Sequence, residues 1–478
     1  MNEKAGMTPE QFRHQAHAVV DWIADYLANP ERWSVLPDTR PGDIAKQLPA
    51  SPPQSGERMD AILADFRDII VAGTTHWNHP AFLAYFANSG TAEGVIGEML
   101  TAALNVNAML WKSGPAQTEL ETRTLDWLRQ MMGLADGFTG TITDTASSST
   151  LYALAAAREM APQFSLREKG MSGRPDLPRL LVYASEEAHS SIDKAVMTLG
   201  FGRESLRRVP TDDDLGMDAA ALDRMIRDDR MAGAIPLAVV ACVGTTSTTA
   251  IDPVALIAGI CAREKIWLHV DAAYGGSAAI LPEMRYVLDG CDGADSLVVN
   301  PHKWLLTPMD CSVLFTRKPE LLKRAFQVVP DYLKVSEPDS VVNLMDYGVS
   351  LGRRFRSLKL WMVIRSYGVQ GLASVIREHI RLAAELAEKV ESDPEFELFA
   401  KPRFSTVVFR YRGHGPPEVL NERNRRIVEN VNATRRTFIS HTTVRGSYAI
   451  RVAIGNLHTN ESHVTAAWDL IRKAASES

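Results

Sequence analysis

Apolar residues recur at helical spacing near the start of the chain, where Phe12, Ala16, Val19, Val20, Ile23 and Leu27 fall on one face. Thr8-Pro9-Glu10-Gln11 reads as the start of that helix, with Thr8 as N-cap, Pro9 in the first turn and Gln11 closing a capping box. The apolar face predicts either packing on the core or a subunit contact. Proline-rich stretches at 36–41 and 48–53 then cut the chain into short segments. From about Trp77 to Arg356 the pattern changes to short, continuously apolar, β-branched runs separated by helical stretches, which is how buried parallel strands of an α/β sheet read. The best runs are 180–183, 237–243, 266–270, 297–299 and 313–315. A long helix is predicted from Ser357 towards Asp393, with kinks at Gly368 and Gly371 and Pro394 beyond its end. The tail reads as a small α+β unit with strands at 406–411 and 448–454, and residues 412–417 as a surface turn.

Composition narrows the class. The 478 residues are 45% hydrophobic and 23% charged, enough for two or three domains around a large core. A formal net charge of −6 gives no general attraction to nucleic acid or to an anionic membrane, so small molecules are the expected partners. Cys242, Cys261, Cys291 and Cys311 form no C-x-x-C pair, and no histidines stand at zinc-finger spacing. Neither a disulfide framework nor a metal is expected, which fits a reducing cytoplasm. Residues 1–11 lack an apolar signal core, and no apolar run reaches the roughly 18 to 20 residues of a membrane span. The expectation is a soluble, cytoplasmic protein.

Chemistry-bearing residues follow the predicted strands: His189 after the first, Thr246 after the second, Asp271 directly after the third, Asn300 and Lys303 after the fourth. Ligands of open parallel sheets sit outside the carboxyl ends of the strands, so these positions predict one shared site. Lys303, in Asn300-Pro301-His302-Lys303-Trp304, has surroundings that can desolvate its amine and favour the neutral nucleophile that attacks an aldehyde. The alternative is an ordinary surface lysine. Asp271 emerges from a buried strand and needs a cationic partner, for which a protonated pyridine nitrogen serves; the alternative is a helix or turn cap. The stretch from Gly140 to Leu151 reads as strand, hydroxyl-rich turn and helix start, a place where free N–H groups bind phosphate, or where Ser and Thr act only as caps. His189 is either a ring stacked on a cofactor or a solvated histidine.

Three segments carry a family resemblance: Asn300-Pro301-His302-Lys303-Trp304-Leu305-Leu306, His269-Val270-Asp271-Ala272-Ala273-Tyr274, and Leu351-Gly352-Arg353-Arg354-Phe355-Arg356-Ser357-Leu358-Lys359. Matches at His76-Trp77-Asn78-His79-Pro80, Thr118-Glu119-Leu120-Glu121, Gly244-Thr245-Thr246 and Asp331-Tyr332-Leu333-Lys334 extend it over nearly the whole chain. Together they resemble the group II decarboxylases dependent on pyridoxal 5′-phosphate (PLP), most closely the aromatic-L-amino-acid decarboxylases. The resemblance implies an α/β, fold-type I architecture like aspartate aminotransferase, with a mixed, mostly parallel sheet. It implies an N-terminal helical segment (1–85) packing on a dimer partner, a large PLP-binding domain (86–370) and a small C-terminal α+β domain (371–478). It also implies a homodimer with active sites at the interface.

The resemblance assigns Lys303 the Schiff base, Asp271 the pyridinium nitrogen and His189 the stacking position. Ala146, Ser147, Asn300 and His302 match positions around the phosphate, and Thr246 and Ala273 positions near the ring. Tyr332 matches the tyrosine of a mobile catalytic loop that helps protonate the substrate carbon. Trp77, Phe86, Asn88, Met109 and Gly352 match the substrate pocket, with Met109 reaching across the dimer. Related aldehyde synthases tend to carry phenylalanine at the Tyr332 position or asparagine at the His189 position, so amine formation is expected here. Asn88 and Met109 depart from the threonine and phenylalanine of many animal relatives, which leaves ring preference open; Gly352 leans towards tryptophan or its hydroxylated form. The alternatives are an aldehyde synthase, a decarboxylase of a non-aromatic amino acid, or a silent homologue without enzymatic activity.

Overall fold

The structure is a computed structural model that describes residues 6–328 and 341–477. Its first helix, Pro9–Ala28, begins as its sequence demands: the Thr8 side chain accepts from the Gln11 N–H at 3.2 Å, and the Gln11 side chain accepts from the Thr8 N–H at 2.8 Å. Packing on the core, one of the two readings of its apolar face, is corrected. The helix buries none of its residues, and Phe12 is 62% exposed. It is held by rings near its far end, Trp22 against Phe66 and Tyr26 against Trp33, and its apolar stripe is half-buried, with Phe12 and Val20 exposed.

The strands are β1 (Phe82–Leu83), β2 (Thr139–Thr143), β3 (Leu180–Ser185), β4 (Leu206–Val209), β5 (Ile235–Cys242), β6 (Trp267–Asp271), β7 (Ser296–Val299), β8 (Ser312–Thr316), β9 (Phe396–Leu398), β10 (Thr406–Tyr411), β11 (Phe438–Val444) and β12 (Ser447–Ala453). Seven form a sheet in the order β2-β8-β7-β6-β5-β3-β4. β4, β3, β5, β6 and β7 are parallel to their neighbours in this run, whereas β8 is antiparallel to both β7 and β2. The apolar run at 313–315 is therefore an antiparallel strand. Burial on both faces makes either direction read alike, and the link from β7 to β8 carries only the four-residue helix Pro301–Trp304 instead of a crossover helix. Alternate residues enter opposite layers: Leu181, Tyr183, Val239, Leu268 and Val270 join one core, Val182, Ala184, Ala238 and Val240 the other.

β1, β11, β12, β10 and β9 form a second sheet in that order, in which β1 pairs in parallel with β11. The long helix Ser357–Ser392 joins the two sheets' cores. It breaks at Gly368 (φ 62°, ψ 172°) alone, so the kink expected at Gly371 is absent. Among the described residues no helix is long and apolar enough to cross a membrane.

Candidate active site

Parallel strands aim their carboxyl ends at the same edge of the sheet, and there the predicted residues meet. A cavity of about 400 Å³ is lined by Ala146, Ser147, His189, Thr246, Asp271, Ala273, Asn300, His302 and Lys303, with Trp77, Phe86 and Asn88 on its walls. Asp271 ends β6 between Cys242 of β5 and Val298 of β7, and one carboxylate oxygen accepts the Ala273 N–H at 3.1 Å. Asn300 and Lys303 lie on the turn after β7, where the Lys303 N–H bonds the Asn300 carbonyl at 2.9 Å. Ala146 and Ser147 open the helix Ala146–Arg158, whose first turn has no side-chain cap and so keeps its N–H groups for a ligand.

Burial sets the protonation of these groups. Desolvation pulls the Lys303 amine below the ordinary lysine range, Asp271 opposes this and Arg451 adds to it. The amine lies 5.0 Å from the centre of the Phe86 ring. His189 opens into the cavity, yet desolvation by the walls lowers its pKa; Asp271 opposes the effect and Lys303 reinforces it. Its Nδ1 accepts the Ser191 N–H at 3.1 Å, which leaves the proton of the neutral ring on Nε2. His302 is fixed the same way: Nδ1 accepts the Cys311 N–H at 2.9 Å, and burial lowers its pKa to about 4.

Arg451 is a cavity residue that the sequence reading missed. It is 3% exposed, lines the cavity, and has no carboxylate partner among the described residues. Its Nε donates to the carbonyls of Thr246 (3.1 Å) and Ser247 (3.2 Å) and its Nη1 to that of Tyr85 (2.5 Å), while Nη2 is buried without a partner among the described residues. Burial pulls its pKa down to about 10. The available signal was a single charge inside the apolar strand Tyr448-Ala449-Ile450-Arg451-Val452-Ala453. Tyr274 was also missed; it stacks between Phe86 (3.9 Å between centroids) and Trp304 (4.6 Å), forming a column of rings beneath Lys303.

Two expected pocket residues lie elsewhere in the single chain. Gly352 lines a separate cavity with Asp144 and Arg356. Met109 lies in a lobe joined to that segment, since Asn107 accepts the Arg353 N–H at 2.8 Å and the Ala108 N–H reaches the Arg353 carbonyl at 2.8 Å. A buried ion pair between Arg353 and Glu121, with N–O distances of 2.5 and 2.7 Å, anchors the lobe. Tyr332 lies outside the described residues.

The conserved domain of pyridoxal-dependent decarboxylases matches residues 41–412. The chain belongs to that family. This decarboxylase is 40% identical to an aromatic-L-amino-acid decarboxylase of Catharanthus roseus over 97% of its own length and 93% of the relative's. It is 41% identical to a phenylacetaldehyde synthase of Arabidopsis thaliana, covering 98% and 97%. An Oryza sativa TDC solved with PLP and tryptamine superposes with a TM-score of 0.94 at 39% identity, covering 98% and 99%. The fold is thus that of the fold-type I PLP enzymes, and the cofactor is PLP. The residues present fit it: a desolvated lysine, a strand-end carboxylate, an uncapped helix start, and a buried Asn300 Oδ1 that has no partner among the described residues.

Proposed function

We propose that this decarboxylase converts an aromatic L-amino acid to its amine and carbon dioxide, with Lys303 as the cofactor's anchor. The observation that carries the reading is the cavity itself: Lys303 and Asp271 stand in one enclosure whose walls include Trp77, Tyr85, Phe86 and the unpaired Arg451. Aromatic walls suit a flat ring, and a lone buried guanidinium suits the carboxylate of an amino acid.

PLP, when bound, supplies the electron sink for the pair released as the Cα–carboxylate bond breaks. Lys303 offers a neutral amine because its burial disfavours the ammonium. Asp271 offers a fixed anion for the ring nitrogen. Ala146, Ser147, Asn300 and His302 hold the phosphate, with His302 donating from Nε2. Arg451 orients the substrate carboxylate, and His189 presents a flat neutral ring whose proton sits on Nε2. Tyr332 takes the protonation of Cα, on the resemblance, with His189 assisting; general-acid help of this kind is typically worth about 10² to 10⁴ in rate.

The working form is proposed as a homodimer in the cytoplasm, with the chain divided at about 85 and 370. Phe12 and Val20 of the first helix and Ile96, Met99, Leu100 and Leu104 on the helix Ala92–Leu104 are exposed in the single chain, as an interface requires. Met109 and Gly352, remote from their own cavity, then complete the partner's pocket. Borohydride reduction of the holoenzyme should fix PLP to the peptide containing Lys303, and incubation with Trp, 5-hydroxy-Trp, Phe, Tyr and DOPA should yield amines by mass spectrometry. A label elsewhere would remove Lys303 from its role, and aldehyde with peroxide in place of amine would make the protein an aldehyde synthase.

A further inference from the structure

Lys303 stands in a helix of four residues, Pro301–Trp304. One turn cannot hold its own geometry, because nucleation costs more than a single turn returns, so the position of the Lys303 amine depends on what pins the turn from outside. Pro301, His302 and Trp304 of this turn are all buried; His302 is tied locally to the Cys311 N–H, and Trp304, 1% exposed, carries the turn's link to the C-terminal part of the fold. Its ring lies 4.6 Å from that of Tyr274 with planes 8° apart, at the base of the column that ends in Phe86 and the Lys303 amine.

The indole has one polar atom, and its destination lies in another layer. Trp304 Nε1 donates to His379 Nδ1 at 3.0 Å, and His379 Nε2 reaches the Asn456 carbonyl at 2.9 Å. An indole N–H only donates and a carbonyl only accepts, so both bonds together admit a single tautomer of the neutral ring, with the proton on Nε2. Burial lowers the pKa of His379 to about 4, which keeps that ring neutral. His379 sits on the long helix at the seam between the two cores: Leu372, Ala373 and Ile376 pack beneath the large sheet, and Leu382, Ala383 and Leu386 beneath the small one. Asn456 continues the chain, donating from Nδ2 to the carbonyl of Trp77, a residue of the cavity wall, at 3.0 Å.

We infer that His379 is a positioning residue: through the indole of Trp304 it sets the Lys303 turn against the C-terminal sheet and the Trp77 wall, and so fixes where the reacting amine stands. The inference rests on Lys303 as the anchor of PLP.

The test compares holoenzymes of wild type, His379→Leu, His379→Gln and Trp304→Phe. Trp304→Phe keeps a stacked ring but removes the donor together with part of the buried indole, so the rescue by His379→Gln is what separates the hydrogen bond from lost volume. His379→Leu and Trp304→Phe should lower kcat about tenfold or more with KM nearly unchanged, as expected for a reacting group displaced by a fraction of an ångström. They should also move the pH midpoint of the visible PLP band by about half a unit or more, since the amine's surroundings set that titration. His379→Gln, whose amide can accept from the indole and donate to Asn456, should recover most of both. If His379→Leu does not fold, Trp304→Phe and His379→Gln decide together: a changed Trp304→Phe with a near-wild-type His379→Gln supports the inference, and an unchanged Trp304→Phe overturns it. An unchanged midpoint and kcat in Trp304→Phe overturns the inference, as does a His379→Leu enzyme that loses only thermal stability. Borohydride labelling of wild type away from Lys303 removes the premise itself, an outcome distinct from unaltered variants of a correctly labelled enzyme.

Discussion

Arg451 and Lys303 are two buried cations in one cavity, and each lowers its cost differently. Lys303 sheds its proton more readily, whereas Arg451 stays charged and spreads that charge over carbonyl oxygens. The unpaired Nη2 then has one use in the proposed reaction, an oxygen of the substrate carboxylate. Arg451→Gln should raise KM for the amino acid about tenfold to a hundredfold, the value of a hydrogen bond to a charged group, while PLP content measured by absorbance stays near wild type. For Lys303 the sign is set by its lowered pKa: the reactive neutral fraction grows as pH rises through that value. PLP uptake by the apoenzyme should therefore accelerate with pH and level off below 10.5, the ordinary lysine value, in stopped-flow absorbance traces. Levelling off only near 10.5 would mean that the amine is solvated.

At the scale of elements, the long helix carries the clearest contrast between two similar residues. Gly368 has φ 62° and ψ 172°, a conformation that side chains resist, while Gly371 is helical and a Cβ there would meet Tyr367 Cβ at 3.3 Å. Gly368→Ala should cost about 1 to 3 kcal/mol, read as a lower urea midpoint. Gly371→Ala should cost at least about 1 kcal/mol less, because alanine favours a helix interior. The sequence could not separate the two glycines, since either marks a possible break and only the path between the two cores selects one. Direction was equally hidden in the run at 313–315. A strand buried on both faces carries no alternation, so nothing in its residues distinguishes β8 from its parallel neighbours.

Among the described residues, burial keeps His79, His269, His302 and His379 neutral, each lowered to about 4 by desolvation. In the unfolded chain they titrate near 6.5, so between about 6.5 and 4 the unfolded state binds more protons than the folded state. Their contribution is intact above 6.5 and lost progressively as pH falls towards 4, by up to on the order of 3 kcal/mol for each. Urea midpoints should drop steeply between pH 7 and 5, and a flat profile would show that these rings are hydrated. The same burial serves the site, since His302 and His379 keep single tautomers only while they stay neutral.

Much of this protein is legible in one dimension. Strand positions follow from continuous apolar runs, the first helix from its capping box, and the Lys303, Asp271 and His189 site from the rule that ligands gather at the carboxyl ends of parallel strands. Each is a local pattern whose physical cause lies within a few residues. Tertiary structure alone decided the rest. Arg451 lies 148 positions after Lys303 and enters the cavity because β12 of the second sheet brings it to the Thr246 and Ser247 carbonyls in the loop after β5. Gly352 and Met109 fall outside that cavity because the Arg353–Glu121 pair holds their lobe elsewhere. His379 reaches Trp304 across 75 residues. Such contacts depend on how two cores pack, and that is a property of no short stretch of chain.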